Sequence, residues 1–158
     1  MDEELKKIIE GLGSKNVMEI IKKIKSEDRI IFEFTEKINA RPIGQNDVLY
    51  GIVRRKNYFI LNDNFLIVKR SEGGRWWGVK KKYIELLNEW GGKFYLVLLI
   101  NNHEGYVYSK NEINNNIEDG TWRHGQNKDY NIYPAVTKDI YSFMSHKQFL
   151  KKIGIETI

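Results

Sequence analysis

The chain has 158 residues, 41% hydrophobic and 13% aromatic, with no cysteine and a formal net charge of +5. That fits one domain with a full core; it excludes disulfides and thiolate metal sites, and no apolar run reaches the ~18 residues of a membrane span. The start, Met1-Asp2-Glu3-Glu4-Leu5-Lys6-Lys7, is acidic and amphipathic, unlike a secretion leader, so a cytoplasmic protein with no membrane partner is expected (host cytoplasm, if viral).

Two helices are predicted first. Leu5, Ile8, Ile9 and Leu12 recur at helical spacing after Asp2. Val17, Ile20, Ile21 and Ile24 do the same after Asn16, with Glu19 as capping-box partner. They make a helical pair over residues 1–28. Arg29–Thr35 is β-branched and aromatic and reads as a strand. After a loop with Pro42, Gly44 and Asp47, three runs read as a meander: Val48–Arg54, Tyr58–Leu61 and Phe65–Arg70. The turns between them are Arg55-Lys56-Asn57 and Asn62-Asp63-Asn64.

The next segment, Val68 to Lys82, crowds cations, two adjacent Trp and three Gly into one stretch. Cations neutralise phosphates, aromatic faces stack on bases, and glycine admits a close ligand. Lys80–Trp90 then reads as a helix with the stripe Tyr83, Ile84, Leu87 and Trp90, ended by Gly91-Gly92. Phe94–Ile100 is continuously apolar, a central strand buried on both faces, with Gly105–Ser109 as its neighbour. Asn111–Ile117 reads as a short helix and 118–131 as a polar loop. Helices at 138–144 and 146–152 finish the chain, the second with Ser145 and Gln148 as a capping box. The order predicts a single α+β domain: a mixed, mostly antiparallel sheet of about five or six strands with helices packed on it. Residues 29–109 would be its core and 110–158 a C-terminal loop with helices.

The candidate nucleic-acid-binding residues are Arg54, Arg55, Arg70, Arg75, Trp76, Trp77, Lys80, Lys81 and Lys82. The competing reading puts one indole in the core and makes the lysine run the solvated start of a helix. Neighbours in an extended segment point to opposite faces, so both indoles are not expected on one side. Phosphodiester hydrolysis needs a carboxylate to hold Mg²⁺ or activate water, and a cation to stabilise developing charge. Glu72, Asp63, Asp47 and Glu85 lie near the cations. Glu85 points away from the apolar stripe of its helix. Glu85 and Asp63 are the candidate Mg²⁺ ligands, and Lys69 and Lys56 the cations nearest the chemistry. The plain alternative for Glu85 is i, i+4 pairing on a solvated face. His103, His124 and His146 have no zinc spacing, and neither a P-loop nor a serine-hydrolase elbow occurs.

The block from Val48 to Ser109 resembles the PD-(D/E)XK nuclease core, a β-meander followed by a helix and more strand. Phe65-Leu66-Ile67-Val68-Lys69 looks like its motif strand, with Lys69 in the lysine position and Asp47 or Asp63 as the leading acid. Ile67 stands where that family has its second acid; some members supply it from the following helix, which here is Glu85. The resemblance implies a small, divergent nuclease of the kind found in archaea and their viruses. The expected function is therefore a Mg²⁺-dependent deoxyribonuclease of low sequence specificity, preferring DNA to RNA, with a homodimer compatible with double-strand cleavage. The alternative is a non-catalytic DNA- or RNA-binding protein using the same surface. A protein–protein adaptor anchored by Trp fits the lysine density poorly.

Overall fold

Six hydrophobic residues in a row, Phe94–Leu99, form the strand around which the protein is built, and all six are buried. The computed structural model describes residues 26–44, 47, 58–71, 76–126, 128–133 and 139–155. The expected helical pair, the strand Val48–Arg54 with the turn after it, and the loop Glu72-Gly73-Gly74-Arg75 lie outside the described residues.

Phe94–Leu99 (β5) pairs in parallel with Asn64–Arg70 (β3) and antiparallel with Gly105–Ser109 (β6). Arg41–Pro42 (β1) and Tyr58–Leu61 (β2) extend the sheet on one side and Ser142–Phe143 (β9) on the other, in the order β1-β2-β3-β5-β6-β9. Among the described strands only β3 and β5 run parallel, so the chain must cross a face of the sheet between them. It does so through Trp77–Lys80 (β4) and helix α2 (Lys81–Trp90). β4 joins Asp129–Ile132 (β8) and Arg123–His124 (β7) in a second sheet of order β4-β8-β7.

Side chains alternate along β3 and β5 and divide the core in two. Phe65, Ile67, Phe94, Leu96 and Leu98 pack beneath α2, helix α3 (Lys110–Glu118) and the small sheet. Leu66, Val68, Tyr95, Val97 and Leu99 pack beneath helix α1 (Ser26–Lys37) and helix α4 (His146–Lys152). The result is the expected α+β domain with one mixed sheet. Gly105 is where β6 meets β5 most tightly: a Cβ there would lie 2.1 Å from the Leu98 carbonyl oxygen. Among the described residues no helix is long and apolar enough to cross a membrane.

Several elements match their sequence expectation: β2, β3, β5 and β6, and helices α2, α3 and α4. Gly91 ends α2 in the left-handed region, its N–H donating to the Leu87 carbonyl. Three expectations are corrected. Arg29–Thr35 is helical, within α1. Its β-branched residues suit a strand, but Ile31, Phe34, Thr35 and Ile38 recur at helical spacing and are buried. Burial of that stripe overrides local preference. Residues 118–131 are not simply a loop, since they carry β7 and the start of β8. The helix expected at 138–144 is a single 3₁₀ turn, Asp139–Tyr141, running into edge strand β9. At α4 the Ser145 hydroxyl accepts from the Gln148 N–H, while the Gln148 side chain reaches back to the Met144 N–H.

Candidate nucleic-acid interface

The two adjacent tryptophans separate, as alternation along β4 requires. Trp77 is 2% exposed and its indole N–H donates to the Leu99 carbonyl at 3.1 Å, tying the small sheet to the main one. Trp77 is therefore corrected from a base-stacking residue to a core residue. Trp76 is half-buried on the outer face, its six-membered ring lying over Gly78, 3.1 Å from where a Cβ would stand. A side chain at Gly78 would require the ring to shift by a few tenths of an ångström.

Lys80 ends β4 and stands at the N-cap of α2, with extended backbone and no capping hydrogen bond from its side chain. It pairs in register with Asp129, and its ammonium lies 3.9 Å from that carboxylate. The next N–H, of Lys81, donates to the Lys128 carbonyl at 3.2 Å. The helix start is thus pinned to the turn of the β7–β8 hairpin. That turn holds Lys128 in the left-handed region, φ +60°, and brings its carbonyl back over α2. The first turn of α2 contains no acid, so three lysines sit at the positive end of the helix dipole. Asp129 offsets this for Lys80 and Glu85 for Lys81, while Lys82 has no such partner among the described residues.

Two adjoining clefts run between α2, α3 and the hairpin. One, of about 550 Å³, is lined by Lys81, Glu85, Arg123, His124 and Tyr130 among others. The other, of about 480 Å³, shares Lys81, Glu85 and His124 and adds Lys80, Lys82, Lys128 and Asp129. Together they form one groove with five cationic side chains, two acids and a histidine. Among the described residues Lys82 and Lys128 make no ion pair.

Glu85 is exposed and forms the expected i, i+4 pair with Lys81 at 3.8 Å. It also faces the hairpin. Tyr130, buried beneath the groove, has its hydroxyl pKa pushed up by burial and then by the Glu85 charge. Its ring meets that of His124 edge-on, with centroids 6.0 Å apart. His124 and Tyr130 are register partners across the hairpin, so their side chains share a face.

The other candidate residues do not converge on this groove. Lys69 and Arg70 are half-buried neighbours at the end of β3, and alternation sends them to opposite faces of the sheet. Asp63 is exposed in the β2–β3 turn, at the far end of β3 from Lys69, roughly 20 Å away along the strand. Asp47 is bound up structurally. Its two oxygens accept from the Arg41 guanidinium, both at 2.8 Å, and one also accepts from the Gly44 N–H. The Arg41 hydrogen bonds hold its pKa down at about 2. Arg54, Arg55, Lys56 and Arg75 lie outside the described residues. Among the described residues no three His, Asp or Glu side chains gather as a metal-ligand group, and Glu85 and Asp63 do not form part of one.

Sequence reasoning missed the hairpin residues Arg123, His124, Lys128, Asp129 and Tyr130. The available signal was the alternation Tyr130, Ile132 preceded by the Gly125 turn. Compared with protein-family models, curated proteins and solved structures, the chain matches none of them.

Proposed function

We propose that the chain binds nucleic acid through the groove between α2 and the β7–β8 hairpin, chiefly by neutralising backbone phosphates. One observation carries this reading. The lysines at the start of α2 and the cations of a hairpin some forty residues later line one continuous groove. Folding gathers five cations there against two carboxylates, Glu85 and Asp129, which leaves an excess of positive charge. A polyanion relieves the mutual repulsion and complements the helix dipole. Phosphate contacts carry little sequence information, so weak specificity is expected. Trp76, on the outer face of the same small sheet, offers an aromatic surface to an unpaired base.

A second reading is a Mg²⁺-dependent deoxyribonuclease, in keeping with the PD-(D/E)XK resemblance. It is favoured by Glu85 standing in the groove wall among the cations. Glu85 would hold the ion, with Asp129 as the carboxylate of the facing hairpin wall. A bound Mg²⁺ would polarise a phosphoryl oxygen and activate water.

Fluorescence anisotropy with labelled duplex and single-stranded oligonucleotides, across a salt series, tests the first reading. Five phosphate contacts on duplex give a log–log salt slope of roughly −4.5. Replacing Lys82 and Lys128 by Ala removes about two units of that slope. Absence of salt-dependent binding overturns it. For the second reading, linear plasmid is incubated with Mg²⁺ or with EDTA. Cleavage only with Mg²⁺, lost in Glu85→Ala, supports it. Binding without cleavage leaves the first reading alone.

A further inference from the structure

We propose that this groove is a metal-independent ribonuclease site in which Glu85 is the general base and His124 the general acid. The inference rests on the groove binding nucleic acid and names the substrate class, RNA.

The geometry sets a carboxylate and an imidazole on opposite walls of one groove. Glu85 comes from the second turn of α2 and His124 from β7. Each lines both adjoining clefts. Tyr130 connects them: its ring contacts His124, and its hydroxyl feels the Glu85 charge. The Lys81 ammonium lies 3.8 Å from the Glu85 carboxylate, on the same helix face. Arg123, beside His124, and Lys81 are the cations available to a phosphate lodged between the walls. Neither Glu85 nor His124 is needed by the fold, since both are exposed and neither packs in the core.

Such a pair suits a phosphodiester that carries its own nucleophile. The Glu85 carboxylate takes the proton of the ribose 2′-hydroxyl. The 2′-oxygen forms a bond to phosphorus as the bond from phosphorus to the 5′-oxygen breaks. Protonated His124 gives its proton to that departing oxygen. Lys81 and Arg123 stabilise the charge on the non-bridging oxygens. The products are a 2′,3′-cyclic phosphate and a free 5′-hydroxyl. Atoms and protons balance without a metal or an external nucleophile. DNA has no 2′-hydroxyl and is left intact by this route.

The sequence hides this pair because the residues are thirty-nine positions apart and His124 falls in a segment that reads as polar loop. The charged and titratable groups facing the pair are Lys81, Lys82, Arg123, Lys128, Asp129 and Tyr130.

The test uses the full chain, EDTA and a labelled DNA oligonucleotide containing one internal ribonucleotide, with an all-DNA twin as control. Cleavage is expected at the ribonucleotide only, leaving a 2′,3′-cyclic phosphate. Glu85→Gln and His124→Ala each lower the single-turnover rate by about 100-fold or more. Both variants retain anisotropy binding, and His103→Ala, in the β5–β6 turn and outside the lining of both clefts, behaves as the parent. A substrate with sulfur in place of the departing 5′-oxygen needs no protonation to leave, so it restores the rate of His124→Ala and not of Glu85→Gln. An uncut ribonucleotide substrate that still binds overturns the acid–base assignment and leaves the groove reading standing. Cleavage that survives equally in both variants also overturns the assignment. Loss of all salt-dependent binding in the parent overturns both.

Discussion

The Trp77 indole N–H donates to the Leu99 carbonyl at 3.1 Å, joining two residues 22 positions apart. The Ser71 N–H donates to the same oxygen at 3.3 Å. β4 is thereby anchored to the end of the central strand, and the position of α2 and its lysines follows from that anchor. Trp77→Phe keeps most of the apolar volume and removes one donor. Leu99 keeps its second partner, so the cost is about 1 kcal/mol, read by urea denaturation. Trp77→Ala leaves a cavity and costs about 3–5 kcal/mol. Oligonucleotide affinity in Trp77→Phe stays that of the parent, because the indole is out of reach of a ligand. A large loss of affinity in a folded Trp77→Phe protein would contradict its assignment to the core.

The lysines at the head of α2 set stability against binding. Lys82 is exposed in the first turn and makes no ion pair among the described residues. Lys82→Glu places a favourable charge at the helix N-terminus and should stabilise the fold by about 0.3–1 kcal/mol at low salt. The same substitution introduces a like charge facing phosphate, so affinity falls and the salt slope flattens by about one unit. Thermal melting and anisotropy on the same preparations check both signs. Unchanged affinity with raised Tm would show that the groove does not hold nucleic acid.

Much of the main sheet was legible because its strands are continuous or alternating apolar runs bounded by turn formers. Tyr58–Leu61, Phe94–Leu99 and Gly105–Ser109 are such segments. α1 was not, because Ile30, Ile31, Phe32 and Phe34 satisfy a strand template locally and only packing selects the helical one. The candidate site was legible on one side only. Lys80–Lys82 and Glu85 stand out as charge on a helix, whereas Arg123 and His124 form a two-residue strand too short for any pattern to register. Their role comes from pairing with β8, a long-range contact that local composition does not encode.

Gly105 marks the closest approach of β6 to β5. A Cβ at this position would lie 2.1 Å from the Leu98 carbonyl oxygen and 3.1 Å from the Leu99 Cα, both backbone atoms of a fully buried strand. Neither can move without disturbing the ladder on both of its edges. Gly105→Ala should therefore cost about 3 kcal/mol through overpacking. Gly120→Ala supplies the contrast. There φ is +78° and no atom lies within 4 Å, so the penalty is backbone strain alone, on the order of 1 kcal/mol. Urea denaturation midpoints of the two variants should separate clearly. Equal midpoints would contradict the tight β5–β6 packing.

The Arg41–Asp47 pair makes stability depend on pH in the acid range. Asp47 has its pKa lowered to about 2 by the Arg41 hydrogen bonds, assisted by the Gly44 N–H. A carboxyl with a depressed folded-state pKa binds protons more readily unfolded than folded, so its stabilisation is fully present above the unfolded value near 4. It is lost as pH falls from there toward 2. The full shift would correspond to about 2 kcal/mol, but the Arg41 side chain is 57% exposed, and solvent screening reduces the expected contribution to about 1 kcal/mol. Asp47→Asn should destabilise by that amount at pH 7 and have little effect at pH 2. Urea titrations of parent and variant across this interval measure the difference directly. A gap that stays constant with pH would mean that Asp47 stabilises through shape and hydrogen bonding rather than through its charge.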